Sequence, residues 1–202
     1  MLGFDQRHDP CRRCVARACA RRQILKGALG LGFALPLVGT GSAQEAESRS
    51  LRPQAGDRLV FAAGDRKGAV IAPVDLPVGG PQVLAYPQDA KSSVVRDGSR
   101  LNQVALVRLD PTELSEETLA DAADGVVAYS AVCTHQGCPV SMWEDKAQTL
   151  FCSCHASEFD PRNGAEVVAG PAPRRLAALP LKAEDGVLIA AAEFSGRVGF
   201  KR

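Results

Sequence analysis

The stretches that decide the fold are CTHQGC at residues 133–138 and CSCHAS at residues 152–157. Each begins with a cysteine and has a histidine two or three residues later, so each offers a thiolate and an imidazole at the spacing of a loop. Two such loops can bind one metal centre from opposite sides. Each also holds a second cysteine, Cys138 or Cys154. In an oxidising compartment two such thiols, once adjacent, form a disulfide that ties the loops together.

Other uses of these residues remain open at this point. Four cysteines and two histidines could form a structural zinc site, or the cysteines could form plain disulfides beside incidental histidines. Zinc sites have four ligands, commonly spaced C-x₂₋₄-C and H-x₃₋₅-H. The present spacings are C-x-H, C-x₄-C, C-x-C and C-x-x-H, which favour a different metal centre. Zinc is therefore kept as a remote alternative.

The two stretches resemble, residue for residue, the C-T-H-x-G-C and C-x-C-H-x-S boxes of the Rieske iron–sulfur proteins. Beyond the two boxes, the match includes Phe159, Asp160 and a Gly-Pro-Ala-Pro turn at residues 170–173. The resemblance as a whole covers residues 125–182. Residues 57–124 share only a general β character with that family. The resemblance implies one [2Fe–2S] cluster as the cofactor.

It also implies a role for each cysteine and histidine of the two boxes. By this resemblance, Cys133 and Cys152 bind one iron. His135 and His155 bind the other iron. The remaining two cysteines, Cys138 and Cys154, form a disulfide. Because neutral imidazoles replace two thiolates, such clusters are reduced at about −150 to +300 mV, well above plant-type ferredoxins.

Residues around the cluster follow from the same resemblance. Ser157 corresponds to a family serine whose hydroxyl donates to a bridging sulfide, which stabilises the reduced cluster. Gly137, Gly170 and Pro171 are expected to give the close backbone approach and stiff cover that a cluster loop needs.

Two positions depart from the pattern of the cytochrome bc complex proteins. Phe159 replaces a tyrosine whose hydroxyl donates to a ligand sulfur, and Gln136 replaces an apolar leucine at the tip that docks at the quinol pocket. Both departures weigh against a standard quinol-oxidising role, and both suggest a moderately low potential for this class.

The rest of the chain is predicted to be mainly β. Short apolar runs alternate with Gly, Pro, Asp and Asn, which indicates a small antiparallel β-sandwich or barrel. The resemblance to the Rieske proteins implies that this is a Rieske domain with an inserted cluster-binding subdomain. One short helix is predicted, capped by Ser115 and closed by Gly125. Phe151 is expected on a strand face towards the core. The predicted strands are 58–62, 69–72, 82–86, 102–109, 126–130, 149–152, 165–168, 176–181 and 187–192, with a turn at Asp185-Gly186 before the last one.

Charge divides the 202 residues into a basic leader and a mildly acidic body. Residues 1–43 carry seven Lys/Arg and two Asp/Glu, whereas residues 44–202 carry 17 and 21. An overall charge of +1 gives no reason to expect nucleic acid as a partner. The predicted organisation is a leader at 1–43, a linker at 44–56 and the Rieske domain at 57–202, with the cluster-binding part at about 130–175.

The leader resembles a twin-arginine (Tat) export signal. Arg21-Arg22 precedes an uncharged run from Gly27 to Gln44, and Gly41-Ser42-Ala43 is a small-residue cleavage site. The run holds several glycines and a proline, so it is weak as a membrane span. Cleavage and retention as an inner-membrane anchor both stay open. The role of Cys11, Cys14 and Cys19 is not determined by the sequence.

The function expected from these features is one-electron transfer in the periplasm. The two boxes contain every histidine of residues 44–202, so none is left for a mononuclear iron site. The chain is therefore interpreted as a subunit of an oxidoreductase complex with no catalytic site of its own. Two parents are weighed: a quinol–cytochrome c reductase with cytochrome b or c and quinol as partners, and a periplasmic molybdenum oxidase such as arsenite oxidase.

Overall fold

The computed structural model describes residues 40–200 and consists mainly of antiparallel β-structure. The predicted leader, with its three cysteines, its Arg pair and all but its last residues, lies outside the described residues. The helices are α1 (Thr40–Ser50) and α2 (Glu116–Ala120). The strands are β1 (Arg58–Phe61), β2 (Val83–Gln88), β3 (Val104–Arg108), β4 (Val126–Ser130), β5 (Met142–Glu144), β6 (Thr149–Cys152), β7 (Ser157–Asp160), β8 (Glu166–Ala169), β9 (Leu181–Glu184) and β10 (Val187–Ala190).

The strands form two antiparallel sheets. The larger has six strands in the order β4-β3-β2-β1-β10-β9, and the smaller has four in the order β5-β6-β7-β8. The smaller sheet is built entirely from residues between β4 and β9, so it is the inserted subdomain expected from the sequence. Both cysteine–histidine boxes belong to this insertion.

Strands β3 and β4 are buried on both faces, because each face of the larger sheet here covers a separate core. Ala105, Val107, Val127 and Tyr129 pack towards the smaller sheet. The alternate side chains of the same strands join a second apolar cluster on the far side. The two strands therefore read as nearly continuous apolar runs, which a one-sided sheet would not allow. Tyr129 joins the sheets directly, since its hydroxyl donates to Pro161 O at 2.9 Å.

The larger sheet curls towards closure at its β4 edge. Ser130 N donates to Ala177 O and Leu179 N donates to Ala128 O, so residues 177–179 run along that edge before the chain enters β9. The turn between β9 and β10 is Asp185-Gly186, with φ of 50° and 76°. Two positive φ values are the signature of a tight hairpin turn, which explains the Asp-Gly pair.

Several predicted boundaries differ from the structure. Residues 69–72 form no strand and make only an isolated bridge between Val70 and Val60. Within residues 176–181, Ala178 makes an isolated bridge with Tyr129, and strand β9 starts only at Leu181. Strands β5 and β7 were missed because neither has more than two apolar residues in a row, whereas the equally short β6 has three. Helix α2 has the predicted Ser115 cap, whose hydroxyl accepts from Thr118 N.

The predicted linker at 44–56 contains most of α1, a helix that the polar sequence did not reveal. The end of this helix and the residue after it are attached to the sheet domain: Gly98 N donates to Arg49 O, and Asn102 Nδ2 donates to Leu51 O at 2.7 Å. Nearby, Asp57 and Arg96 form a bidentate ion pair with both side chains 3% exposed. Such a buried pair costs several kcal/mol when one partner is lost, so it fixes this junction.

Residues 40–200 contain no helix that is both long and apolar enough to span a lipid bilayer.

Candidate metal centre

The first box forms a tight loop between β4 and β5. Cys133 N donates to Cys138 O at 2.8 Å and Gly137 N donates to Cys133 O at 2.9 Å, so the loop closes on itself. Gly137 has a φ of 74°, a backbone conformation that residues with a Cβ rarely adopt. This closure buries Cys133, which is 1% exposed, and leaves Gln136 exposed at the tip.

The second box is the hairpin between β6 and β7. Cys152 is the last residue of β6 and lies opposite Ser157, the first residue of β7. Both are buried, whereas Ser153 to Ala156 form an exposed turn that carries His155. The strand pairing therefore places a thiol and a hydroxyl side by side at the base of the hairpin, with an imidazole at its tip.

A disulfide between Cys138 and Cys154 joins the two loops, with Cα atoms 6.5 Å apart. The sulfur of Cys152 lies within 4.8 Å of both disulfide sulfurs. Disulfide sulfurs carry no thiolate charge, so these two cysteines are poor metal ligands in this state. The free thiols among residues 40–200 are Cys133 and Cys152.

Burial raises the pKa of the Cys152 thiol above its ordinary value, and its neighbour Cys133 raises it further. The backbone N–H groups of Cys154 and His155 donate towards the Cys152 sulfur and act in the opposite direction. A buried thiolate here would need a cation beside it, which is the condition that a bound metal satisfies.

The two histidines meet across the loops. The ring centroids of His135 and His155 are 4.6 Å apart, with the rings nearly perpendicular. His135 Nδ1 is buried and has no hydrogen-bond partner, and the same is true of Ser157 Oγ. Buried polar atoms without partners are uncommon in folded proteins, so two of them in one site indicate a missing ligand.

The Gly-Pro-Ala-Pro turn covers the second box. A Cβ on Gly170 would lie 2.6 Å from Ser157 Cα and even closer to Ala156 O, so only glycine allows this approach. Thr134 Oγ1 donates to Arg174 O at 2.6 Å and joins the first box to the residue after the turn. Thr134 belongs to the first box, but the contact with Arg174 could not be predicted from the sequence, because the two residues are 40 positions apart.

Two further contacts were not visible in the sequence. The Arg100 guanidinium donates to Gly137 O, although the two residues are 37 positions apart. The Phe200 ring lies against the backbone of the same glycine. Neither residue belongs to a recognisable motif, so only the folded chain brings them to the first box.

The structure places the two departures from the bc pattern as follows. Phe159 is fully buried in β7 and belongs to the same apolar cluster as Cys133 and Cys152. Gln136 is exposed at the tip of the first loop. The expectation for Phe151 is wrong: it is half-buried on the face opposite Leu150, because alternation in β6 turns Leu150 and Cys152 inward.

Comparisons with known proteins agree with this geometry. The family model described as "Rieske [2Fe-2S] domain" matches residues 82–180. The Streptomyces lividans "Cytochrome bc1 complex Rieske iron-sulfur subunit" is 35% identical over 136 residues, which cover 64% of this chain and 78% of that protein. The chain belongs to the Rieske [2Fe–2S] family. As a Rieske protein it binds a [2Fe–2S] cluster rather than a zinc ion.

Two other similarities have narrower coverage. A Haloferax mediterranei protein, provisionally described as a respiratory nitrate reductase subunit Rieske, is 53% identical over 76 residues, which cover 37% of this chain and 34% of that protein. A solved structure described as "Hyperthermophilic respiratory Complex III" has 24% identity and a TM-score of 0.40, and the match covers 59% of this chain and 71% of that one. The chain thus spans about a third of the Haloferax relative's length.

The described residues fit a Rieske cluster. Two buried free thiols and two imidazoles, one with an unpartnered buried Nδ1, come from the same pair of disulfide-joined loops. This donor set matches the two-cysteine, two-histidine ligation of Rieske centres. The unpartnered Ser157 hydroxyl is in addition free to donate into the site.

Proposed function

We propose that Cys133 and Cys152 bind one iron of the cluster, and that His135 and His155 bind the other. The observation that carries this assignment is the convergence of the two free thiols and the two facing imidazoles on one disulfide-bridged pair of loops. When bound, the cluster takes up and releases one electron at a time. Ser157 and the backbone N–H groups around Cys152 are positioned to stabilise the negative charge that accompanies reduction.

The two sides of this site differ in access to solvent. Cys133 and Cys152 are each 1% exposed, whereas His155 is exposed. We infer that the electron enters and leaves at the His155 side, because a partner protein can approach it closely only there. The buried thiol side excludes water and limits hydrolytic loss of the cluster.

The function that these features support best is one-electron transfer as the iron–sulfur subunit of a respiratory oxidoreductase of the quinol–cytochrome c reductase type. Support comes from the bc1 subunit of Streptomyces lividans, of which the chain covers 78%. The proposed partners are cytochromes of the b and c type, with quinol as the reductant. We further propose Tat export and a periplasmic location, supported by the Arg pair and the apolar run in the leader.

A second candidate is the small Rieske subunit of a periplasmic molybdenum oxidase such as arsenite oxidase. Gln136 and Phe159 favour it, because both replace residues that the bc proteins use at the tip and at the ligand sulfur. The 53% identity to the Haloferax protein, described as a nitrate reductase subunit, also links this sequence type to a complex other than bc1.

The ligand assignment is tested by metal analysis and by substitution of His155. The purified protein should contain two irons and two acid-labile sulfides per chain. His155→Cys should move one iron to thiolate ligation and lower the potential, or lose the cluster. The exposed neighbour Ser153→Ala serves as the control and should change neither the spectrum nor the potential. An unchanged spectrum and potential in His155→Cys would exclude His155 as a ligand.

The parent complex is tested by purifying the tagged chain from its own cells in mild detergent. Co-purification of a b-type haem protein supports the reductase proposal. Molybdenum in stoichiometric amount supports the second candidate instead. Recovery of the cluster-loaded chain with neither group would refute both assignments of the partner while leaving the ligand assignment intact.

A further inference from the structure

The segment Arg197–Phe200, called the strap below, lies against the first cluster loop. A Cβ on Gly137 would be only 2.9 Å from Phe200 Cδ1, so the ring rests directly on the glycine backbone. Val198 is buried and shares a small apolar cluster with Val132, the residue before Cys133. The strap thus covers the side of the loop that would otherwise face solvent.

Arg174 connects the strap to the other parts of the site. Its guanidinium donates to Arg197 O at 2.7 Å and also to Gly199 O. Its own carbonyl accepts the hydroxyl of Thr134, which lies between Cys133 and His135. One residue therefore holds both the backbone of the strap and the interior of the first loop.

Arg100 completes the support from a third direction, because its guanidinium donates to Gly137 O. Two hydrogen bonds close the loop internally, one between Cys133 and Cys138 and one between Gly137 and Cys133. Arg100, Arg174 and the strap restrain residues 134–137 from outside the loop as well. The strap also lies beyond residues 82–180, the part that the family model matches.

We propose that the strap, fastened by Arg174, is a positioning element that keeps the first cluster loop closed over the cluster. This inference rests on the proposed function, because it requires that Cys133 and His135 be ligands. Local opening of a loop exposes its ligands to water and to competing chelators. Contacts that favour the closed loop therefore slow the loss of iron without altering which atoms bind it.

The test compares Arg174→Gln and Phe200→Ala with Arg175→Gln in the cluster-loaded protein. Arg175 is the adjacent arginine, but it is exposed and its salt bridge is to Glu117. We measure the rate of iron loss to a chelator, the electron paramagnetic resonance spectrum of the reduced cluster, and hydrogen exchange at the amides of Gly137 and Leu106. Leu106 lies inside β3 and reports on the rest of the fold.

Both strap variants should lose iron about three- to tenfold faster, the range expected when net hydrogen-bond or packing stabilisation of about 1 kcal/mol is lost. Gly137 exchange should accelerate by a similar factor, Leu106 exchange should not change, and the spectrum should keep its Rieske type. Phe200→Leu should restore most of the protection.

The proposal is overturned if the strap variants lose iron, and exchange the Gly137 amide, no faster than the Arg175→Gln control does. It is also overturned if Leu106 exchange accelerates as much as Gly137 exchange, since the strap would then only add to global stability. A wild-type protein without iron and sulfide would instead refute the ligand assignment. In that case the exchange comparison still decides whether the strap closes the loop.

Discussion

Substitution of Ser157 by alanine should lower the reduction potential of the cluster-loaded protein. Ser157 is fully buried and its Oγ has no partner among the residues described. In the loaded protein we expect this hydroxyl to donate to a bridging sulfide. The reduced cluster is the more negative form, so it gains more from the donor, and losing the donor lowers the potential.

The size of the shift follows from the strength of one such bond. A hydrogen bond to a charged group contributes about 1.5–3 kcal/mol. For one electron, 59 mV corresponds to a factor of ten, so the potential should fall by roughly 65–130 mV.

Ser130 provides the matched control. It is also fully buried, but its Oγ accepts from Val132 N at 3.3 Å. Ser130→Ala should destabilise the apoprotein and leave the potential within about 10 mV of the wild type, because no donor to the cluster is lost. The measurements are a redox titration followed by circular dichroism and urea unfolding of each apoprotein. A Ser157→Ala protein with an unchanged potential would refute the reasoning.

Three further changes test other parts of the structure. Phe159→Tyr should raise the potential by tens of millivolts if the new hydroxyl reaches a ligand sulfur, and a redox titration showing no shift would place the ring elsewhere. Cys138→Ser should lower the free energy of unfolding by roughly 2–4 kcal/mol and speed cluster loss without changing the cluster type, as measured by urea unfolding and absorbance. The Arg66 guanidinium and the Ala72 amide donate to Asp75 and lower the pKa of that carboxyl. The stability that this carboxylate contributes is therefore fully present above its ordinary pKa and is lost as the pH falls through the lowered value. Asp75→Asn should weaken the decrease of the free energy of unfolding between about pH 5 and pH 2, as measured by urea unfolding at each pH.

The candidate site was predictable from the sequence because its residues are local. Each box holds a free thiol, an imidazole and a disulfide cysteine within six residues, so spacing alone carries the information. The same locality made β4 and β6 predictable to the residue. Their short apolar runs end at turns or loops that the sequence marks.

The parts that could not be predicted depend on contacts between distant residues. Arg100 reaches Gly137 across 37 positions, and Phe200 lies 63 positions beyond that glycine. Helix α1 is polar and has no apolar face, so no periodic pattern marked it. Phe151 was assigned to the wrong face of β6 because Leu150, Phe151 and Cys152 are consecutive apolar residues. In so short a strand, the sequence does not show which of them face the core.

Where the leader is retained as an anchor, the attachment of α1 also limits how far the domain can travel from that anchor. Had residues 44–56 been a free tether, their thirteen residues could extend over about 45 Å. Hydrogen bonds from Arg96, Asn102 and Gly98 secure the chain from Ser48 to Leu51. The nine residues from Ser48 to Gly56 then contribute nothing to reach, which shortens the range by about 30 Å. If the domain rotates to bring His155 from one partner to another, the hinge must therefore lie before Ser48, and the end of α1 moves together with the domain.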